Sequence, residues 1–183
     1  MKTIIRKAYF DFENEEKWLN EMSAKGFALM DYTWCRYVFT DCQPGEYIFR
    51  LELLEYLPNH PVSQKYLRFL EESGVEHIAS YIRWVFLRRK ASDGAFDIYS
   101  DADSKIKHYK RIIMLNLFIL PITMFSGLLN ILTGIGAWHS NIQNPFNLYA
   151  GIFCTIVGTI PLVMIYRYRK KTKRLKKDRV IME

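Results

Sequence analysis

The apolar positions of this chain recur first at helical spacing, then at strand spacing, then in both ways again, and finally run on without interruption. Phe12, Glu15, Trp18, Leu19 and Met22 fall along one side of a predicted helix, with Trp18, Leu19 and Met22 as its apolar stripe. Asp11 supplies an N-cap and Gly26 a left-handed stop. Tyr47, Phe49, Leu51 and Leu53 then alternate with Ile48, Arg50 and Glu52, the period of a strand covered on one face. A second helix opens at Pro61, where a first turn tolerates proline, carries Tyr66, Leu67 and Leu70 as its stripe, and ends at Gly74. Residues 27–40 and 75–89 each read as a strand pair or one long bent strand, and Thr3 to Tyr9 offers a first strand. Beyond them, Ile112 to Gly136 and Leu148 to Tyr166 hold no charge. As helices they would reach about 37 Å and about 28 Å. A hydrocarbon core is about 30 Å thick, so both can span it.

The part before the long apolar runs contains a repeat. Trp18 and Leu19 answer to Tyr66 and Leu67, Met22 to Leu70 and Gly26 to Gly74, all at a spacing of 48. Arg36-Tyr37-Val38-Phe39 answers to Arg83-Trp84-Val85-Phe86 at 47, and Gly45 to Gly94 at 49. The expected fold is an α+β cytosolic domain over residues 1–108, a duplicated helix-strand-strand unit with copies at about 12–54 and 61–100. Its mixed sheet carries two helices on one face. A two-helix transmembrane hairpin follows over 109–166, with spans 112–136 and 148–166, and then a polybasic tail over 167–183.

Charge sets the orientation. Of the net +7, the whole excess lies in the tail, because residues 1–166 balance. Lys105, Lys107, Lys110 and Arg111 precede the first run, the tail follows the second, and Trp138 to Asn147 holds no Lys or Arg. The positive-inside rule then places both termini in the cytoplasm and the chain in the cytoplasmic (inner) membrane as a multi-pass protein. A basic excess confined to such a tail makes no phosphate-binding face on a folded domain, so no direct nucleic-acid partner is expected. The nearer polyanion is a bilayer with anionic headgroups, which Arg167, Arg169, Lys170, Lys171, Lys173 and Arg174 could contact. Met1 to Phe10 lacks the apolar core of a signal peptide, so the first long run is expected to act as the insertion signal.

Candidate chemistry is sparse. Cys35, Cys42 and Cys154 make no disulfide framework, and His60, His77, His108 and His139 are scattered, so neither a metal nor another cofactor is implied. Without a phosphate loop, nucleophile elbow or carboxylate pair, no enzyme is expected. The informative set is aromatic and basic: Trp34, Arg36, Tyr37, Arg50, Arg83 and Trp84 on the matched strands. They could form a recognition surface for a planar or anionic ligand or a partner's helix, or a two-sided core with arginine at its rim. In the long runs, Ser126, Asn130 and Gly134, and Gly151, Thr155 and Gly158, form stripes that allow close helix packing, within the hairpin, between copies in a homo-oligomer, or against a larger membrane protein.

Glu16-Lys17-Trp18-Leu19, Lys25-Gly26-Phe27, Pro44-Gly45-Glu46-Tyr47 with Arg50-Leu51-Glu52-Leu53, the Tyr66 to Gly74 helix, and Tyr99-Ser100-Asp101 running into Lys105-Ile106 together resemble bacterial membrane proteins containing domain of unknown function 2812. The resemblance covers roughly residues 1–110. It implies no reaction, but it does imply a membrane-side partner of the PadR-like regulator kind. The expected function is that of a non-catalytic, membrane-anchored regulatory or sensor protein whose cytosolic domain binds a protein. The alternatives are an accessory subunit of a larger membrane complex such as an exporter, and a small-ligand sensor.

Overall fold

A computed structural model describes residues 2–99, 101–139 and 146–182. The chain divides into two compact units, Met1–Ser100 and Asp101–Glu183. In the first unit the elements are β1 (Lys2–Arg6), α1 (Phe12–Ala24), β2 (Phe27–Thr33), β3 (Arg36–Asp41), β4 (Tyr47–Leu53), α2 (Pro61–Glu72), β5 (Glu76–Tyr81) and β6 (Trp84–Lys90). The helix signals act as their chemistry requires. The Asp11 carboxylate accepts from the Glu13 N–H at 3.2 Å, His60 Nδ1 accepts from the Val62 N–H at 3.3 Å, and Pro61 occupies the first turn of α2. Both helices are followed by glycine at positive φ, Gly26 at 85° and Gly74 at 81°.

The sheet differs from the expected one. In place of a single mixed sheet there are two three-stranded sheets, ordered β1-β3-β2 and β4-β6-β5, and every pairing is antiparallel. Residues 27–41 and 76–90 are strand pairs closed by two-residue turns. β4, read from the sequence as the end of the first copy, pairs with β6 and so opens the second sheet. The two sheets share their strand order, and both carry a register shift at the same place, between Leu29 and Asp31 and between His77 and Ala79. The closing pairs Thr33 with Arg36 and Tyr81 with Trp84 hold the spacing at 48 through the turns. At that spacing Arg36 aligns with Trp84, whereas the Arg-aromatic-Val-Phe similarity at 47 lies one residue away from it, a shift that exchanges the faces of a strand.

Side chains from both sheets and α1 form one core: Leu19 and Met22 of α1, Leu29, Tyr37 and Phe39 of the first sheet, and Phe49, Leu51, Ala79 and Phe86 of the second. α2 covers a further cluster, with Leu67 and Leu70 against Leu54, Val75, Val85 and Leu87. The outer edge of β4 would leave backbone groups unpaired, and α1 closes it with side chains. Glu16 Oε2 accepts from Leu51 N at 3.1 Å, Asn20 both accepts from Phe49 N at 2.9 Å and donates to its carbonyl at 3.0 Å, and Ser23 Oγ donates to the Tyr47 carbonyl at 2.6 Å. Residues 16, 20 and 23 share one helical face and Tyr47, Phe49 and Leu51 alternate along a strand, so the two periods mesh.

The second unit is two helices, α3 (Ala102–His139) and α4 (Phe146–Met182). Asp101 caps α3 by accepting from the Ser104 N–H at 2.6 Å. Both helices are long and apolar enough to cross a membrane. Each is longer than its apolar run: α3 begins at Ala102, and α4 carries the basic segment as helix to Met182. Pro121 and Pro161 lie inside the helices, and the amides of Asn116 and Asn130 donate to the Ile112 and Ser126 carbonyls at 2.8 Å, one turn back. Most of the expected outer loop lies outside the described residues.

Candidate functional site

The structure divides the aromatic and basic set expected on the matched strands. Tyr37 is fully buried with Phe39 and Phe86, which removes it from any surface. Arg50 pairs with Glu16 at 3.3 Å, its guanidinium 5.9 Å from the Phe96 ring centroid. Arg83 donates from Nε and Nη2 to the Leu54 carbonyl at 2.8 and 2.6 Å, and Trp84 lies 5.5 Å from the Phe12 ring. These three side chains serve the domain's own packing. Trp34 is exposed and Arg36 half-buried.

Trp34 sits at the tip of the β2–β3 hairpin and is 72% exposed, and Ile82 sits at the tip of the β5–β6 hairpin and is 64% exposed. Trp34 and Tyr81, the residue before Ile82, have ring centroids 5.8 Å apart, so the two tips are neighbours. Both turns are strained for their residues. Trp34, Cys35 and Ile82 have φ of 38°, 59° and 56°, in the left-handed region that turns of this length normally fill with Asn or Gly. A β-branched residue there is an outlier, so Ile82 was not visible to any sequence rule for turns. Arg6 and Arg36 lie beside the first tip, and Lys7 follows with its ammonium 4.7 and 4.9 Å from the Tyr9 and Trp18 ring centroids. The Lys7 N–H donates to the Cys35 carbonyl at 2.9 Å, and Arg6 faces Arg36 across the β1–β3 ladder. Among the described residues none of these three has an ion-pair partner. Like charges directly opposite each other in a ladder cost stability, so the position is not one that folding alone would select.

Beneath the tips lies a chain of buried polar groups. The Cys35 N–H donates to Tyr32 Oη at 3.2 Å, the Tyr32 ring lies 4.7 Å from that of Tyr37, and Tyr37 Oη donates to Glu15 Oε1 at 2.5 Å. Burial pushes the Glu15 carboxyl up to about 7, against the opposing hydrogen bond from Tyr37. Burial, then the bond to Glu15, raises the Tyr37 phenol well above its ordinary value. Arg88, which the sequence did not single out, ties the sheets together. It grips Glu76 Oε2 at 2.7 and 2.9 Å and reaches the Leu29 carbonyl at 3.2 Å, its guanidinium 4.3 Å from the Tyr47 ring.

On α2, Val62 and Phe69 stand two turns apart on one face and are 55% and 60% exposed, with Leu57 exposed just before the helix. In the second unit the small residues lie between the helices. A Cβ on Gly134 would come 2.6 Å from Leu148 N, one on Gly151 2.6 Å from Ile131 N, and one on Gly158 2.7 Å from Met124 Cε; one on Gly127 would meet Thr155 Oγ1 at 2.6 Å. Ser126 and Asn130 are half-buried on α3. Of the basic positions on α4, Arg169, Lys170, Lys173 and Arg174 are exposed and Arg167 and Lys171 half-buried.

The family model described as "Protein of unknown function (DUF2812)" matches residues 11–122, and the chain belongs to that family. The match reaches from α1 into the apolar part of α3. No curated protein and no solved structure matches the chain.

Proposed function

For this member of the DUF2812 family we propose a non-catalytic role as a membrane-anchored regulatory or sensing protein, whose amino-terminal unit faces the cytoplasm and binds a protein partner. In this reading that unit is a duplicated βαββ module, supported by the common strand order, the matched register shifts and the constant spacing of 48. α3 and α4 form a transmembrane hairpin in the cytoplasmic membrane, with both ends inside. The observation that carries the partner is the outer face of α2. A folded domain with two filled core clusters has no packing reason to leave Phe69 and Val62 outside, and an apolar helical face two turns long is the size of element that a partner's groove takes up. A PadR-like regulator remains a partner by family resemblance alone.

The accessory-subunit alternative must look elsewhere for its contact, because the glycines it would use face the neighbouring helix of the same chain. A photoreactive phenylalanine analogue at position 69, crosslinked in native membranes, tests the reading. A soluble partner captured at α2 supports it. A polytopic partner captured only through α3 or α4 overturns it in favour of the accessory subunit.

A further inference from the structure

We propose that the paired hairpin tips, Trp34 and Ile82 with Arg6 and Arg36 beside them, dock the amino-terminal unit onto the anionic surface of the bilayer in which the same chain is anchored. The inference rests on the membrane reading above but not on the partner reading, which concerns α2.

Three observations meet at this place. The first is the exposure of two large apolar side chains on adjacent turns, held there in backbone conformations that Asn or Gly would adopt at less cost. Strain retained at an exposed tip, together with exposed apolar surface, is a pattern that function explains and folding does not. The second is charge. Arg6 and Arg36 face each other across the ladder beside the first tip, and among the described residues neither has an ion-pair partner. A tryptophan flanked by cations matches the headgroup layer of an anionic leaflet, where the ring sits at the boundary and the basic groups meet phosphate. The third is tethering. Only residues 91–101 separate β6 from α3, so a domain anchored by α3 meets the surface at a high effective concentration and weak tips suffice. The β1 edge beside the tips, with Lys2 and Arg6 on it, repels strand addition from a protein and favours the lipid occupant.

The test uses the full chain in nanodiscs of phosphatidylcholine, alone or mixed with phosphatidylglycerol. Cys35, Cys42 and Cys154 are replaced by Ser, and a fluorophore is placed at Thr33→Cys, which leaves Trp34 and Ile82 intact. Docking predicts quenching of the fluorophore by lipids spin-labelled near the headgroup in the anionic discs. It should weaken roughly fivefold for each basic residue neutralised in Arg6→Gln and Arg36→Gln. Raising the salt to about 1 M, where the screening length is about 3 Å, should abolish it without any substitution. A chain that incorporates while its fluorophore stays in water overturns the docking proposal alone, whereas a chain that fails to incorporate overturns the membrane reading beneath it. Shielding seen only in native membranes, and never in protein-free lipid, also overturns it and assigns the tips to a protein.

Discussion

Glu15 illustrates how a single residue can carry two readings. From the sequence it is one of several acids at the start of a helix, where negative charge suits the dipole. In the fold it points inward, receives the Tyr37 hydroxyl and is buried enough for its carboxyl to titrate at about 7. A carboxyl whose folded value is raised binds its proton more tightly folded than unfolded, so stability falls as pH rises between the two values. The contribution, about 3 kcal/mol, is present in full below pH 4.5 and is gone above about pH 7. Glu15→Gln keeps an acceptor for Tyr37 and removes the titration. It should leave stability nearly unchanged at about pH 4.5 and raise it by about 2 to 3 kcal/mol at about pH 8. Thermal unfolding of both chains across that range checks the sign, and parallel curves would exclude Glu15 as the group concerned.

At the scale of elements, helices α1 and α2 were legible because their caps, stops and stripes lie within about 15 residues of one another. Strand partnership was not, because it depends on which edge the next strand finds. β4 follows β3 after a short turn that reads as a hairpin, yet its partner is β6, and its free edge is closed by Glu16, Asn20 and Ser23. No local rule marks those three as edge caps. The hairpin turns were hidden for a related reason, since Trp34-Cys35 and Ile82-Arg83 carry none of the Asn or Gly that announces a two-residue turn. The resemblance of two Arg-aromatic-Val-Phe segments then drew the alignment one residue out of register. The small-residue stripes of α3 and α4 were visible, and the structure supplies their neighbour. Gly134→Leu would drive a side chain into the Leu148 backbone, whereas a Cβ on Gly136 meets nothing within 4 Å. The first substitution should destabilise the helix pair by about 1 to 3 kcal/mol and the second by far less. Circular dichroism melts in detergent compare them, and equal changes would show that close packing at Gly134 does not govern the stability of the pair.

At the scale of the whole molecule, the charge asymmetry gains a geometric basis from the lengths of the helices. α3 and α4 are each more than about 54 Å long, against a hydrocarbon core of about 30 Å, so as membrane spans both would emerge from it. They run antiparallel, as the nearness of Gly134 to Leu148 and of Gly158 to Met124 requires. Their apolar runs adjoin the connecting segment, so the excess length of both lies at the other end. That end carries Lys105, Lys107, Lys110 and Arg111 on α3 and the basic residues from Arg167 onward on α4. In the proposed hairpin, a helix leaving the membrane lifts successive basic residues by about 1.5 Å each, which would keep Arg167, Arg169 and Lys170 near the headgroups. Lys176 and Lys177 rise beyond the screening length of about 8 Å and contribute little to lipid contact. In the proposed hairpin, transferring either polar end through the bilayer would expose many charges to hydrocarbon at once, which would keep both on one side. In a chain with Cys35, Cys42 and Cys154 replaced, a cysteine at Ser140 should react with an impermeant maleimide in intact cells, and one at Lys177 only after the membrane is opened. Labelling of both in intact cells would contradict a cytoplasmic carboxyl terminus. Labelling of neither until opening would place the connecting segment inside, and with it refute the hairpin as a membrane-crossing element.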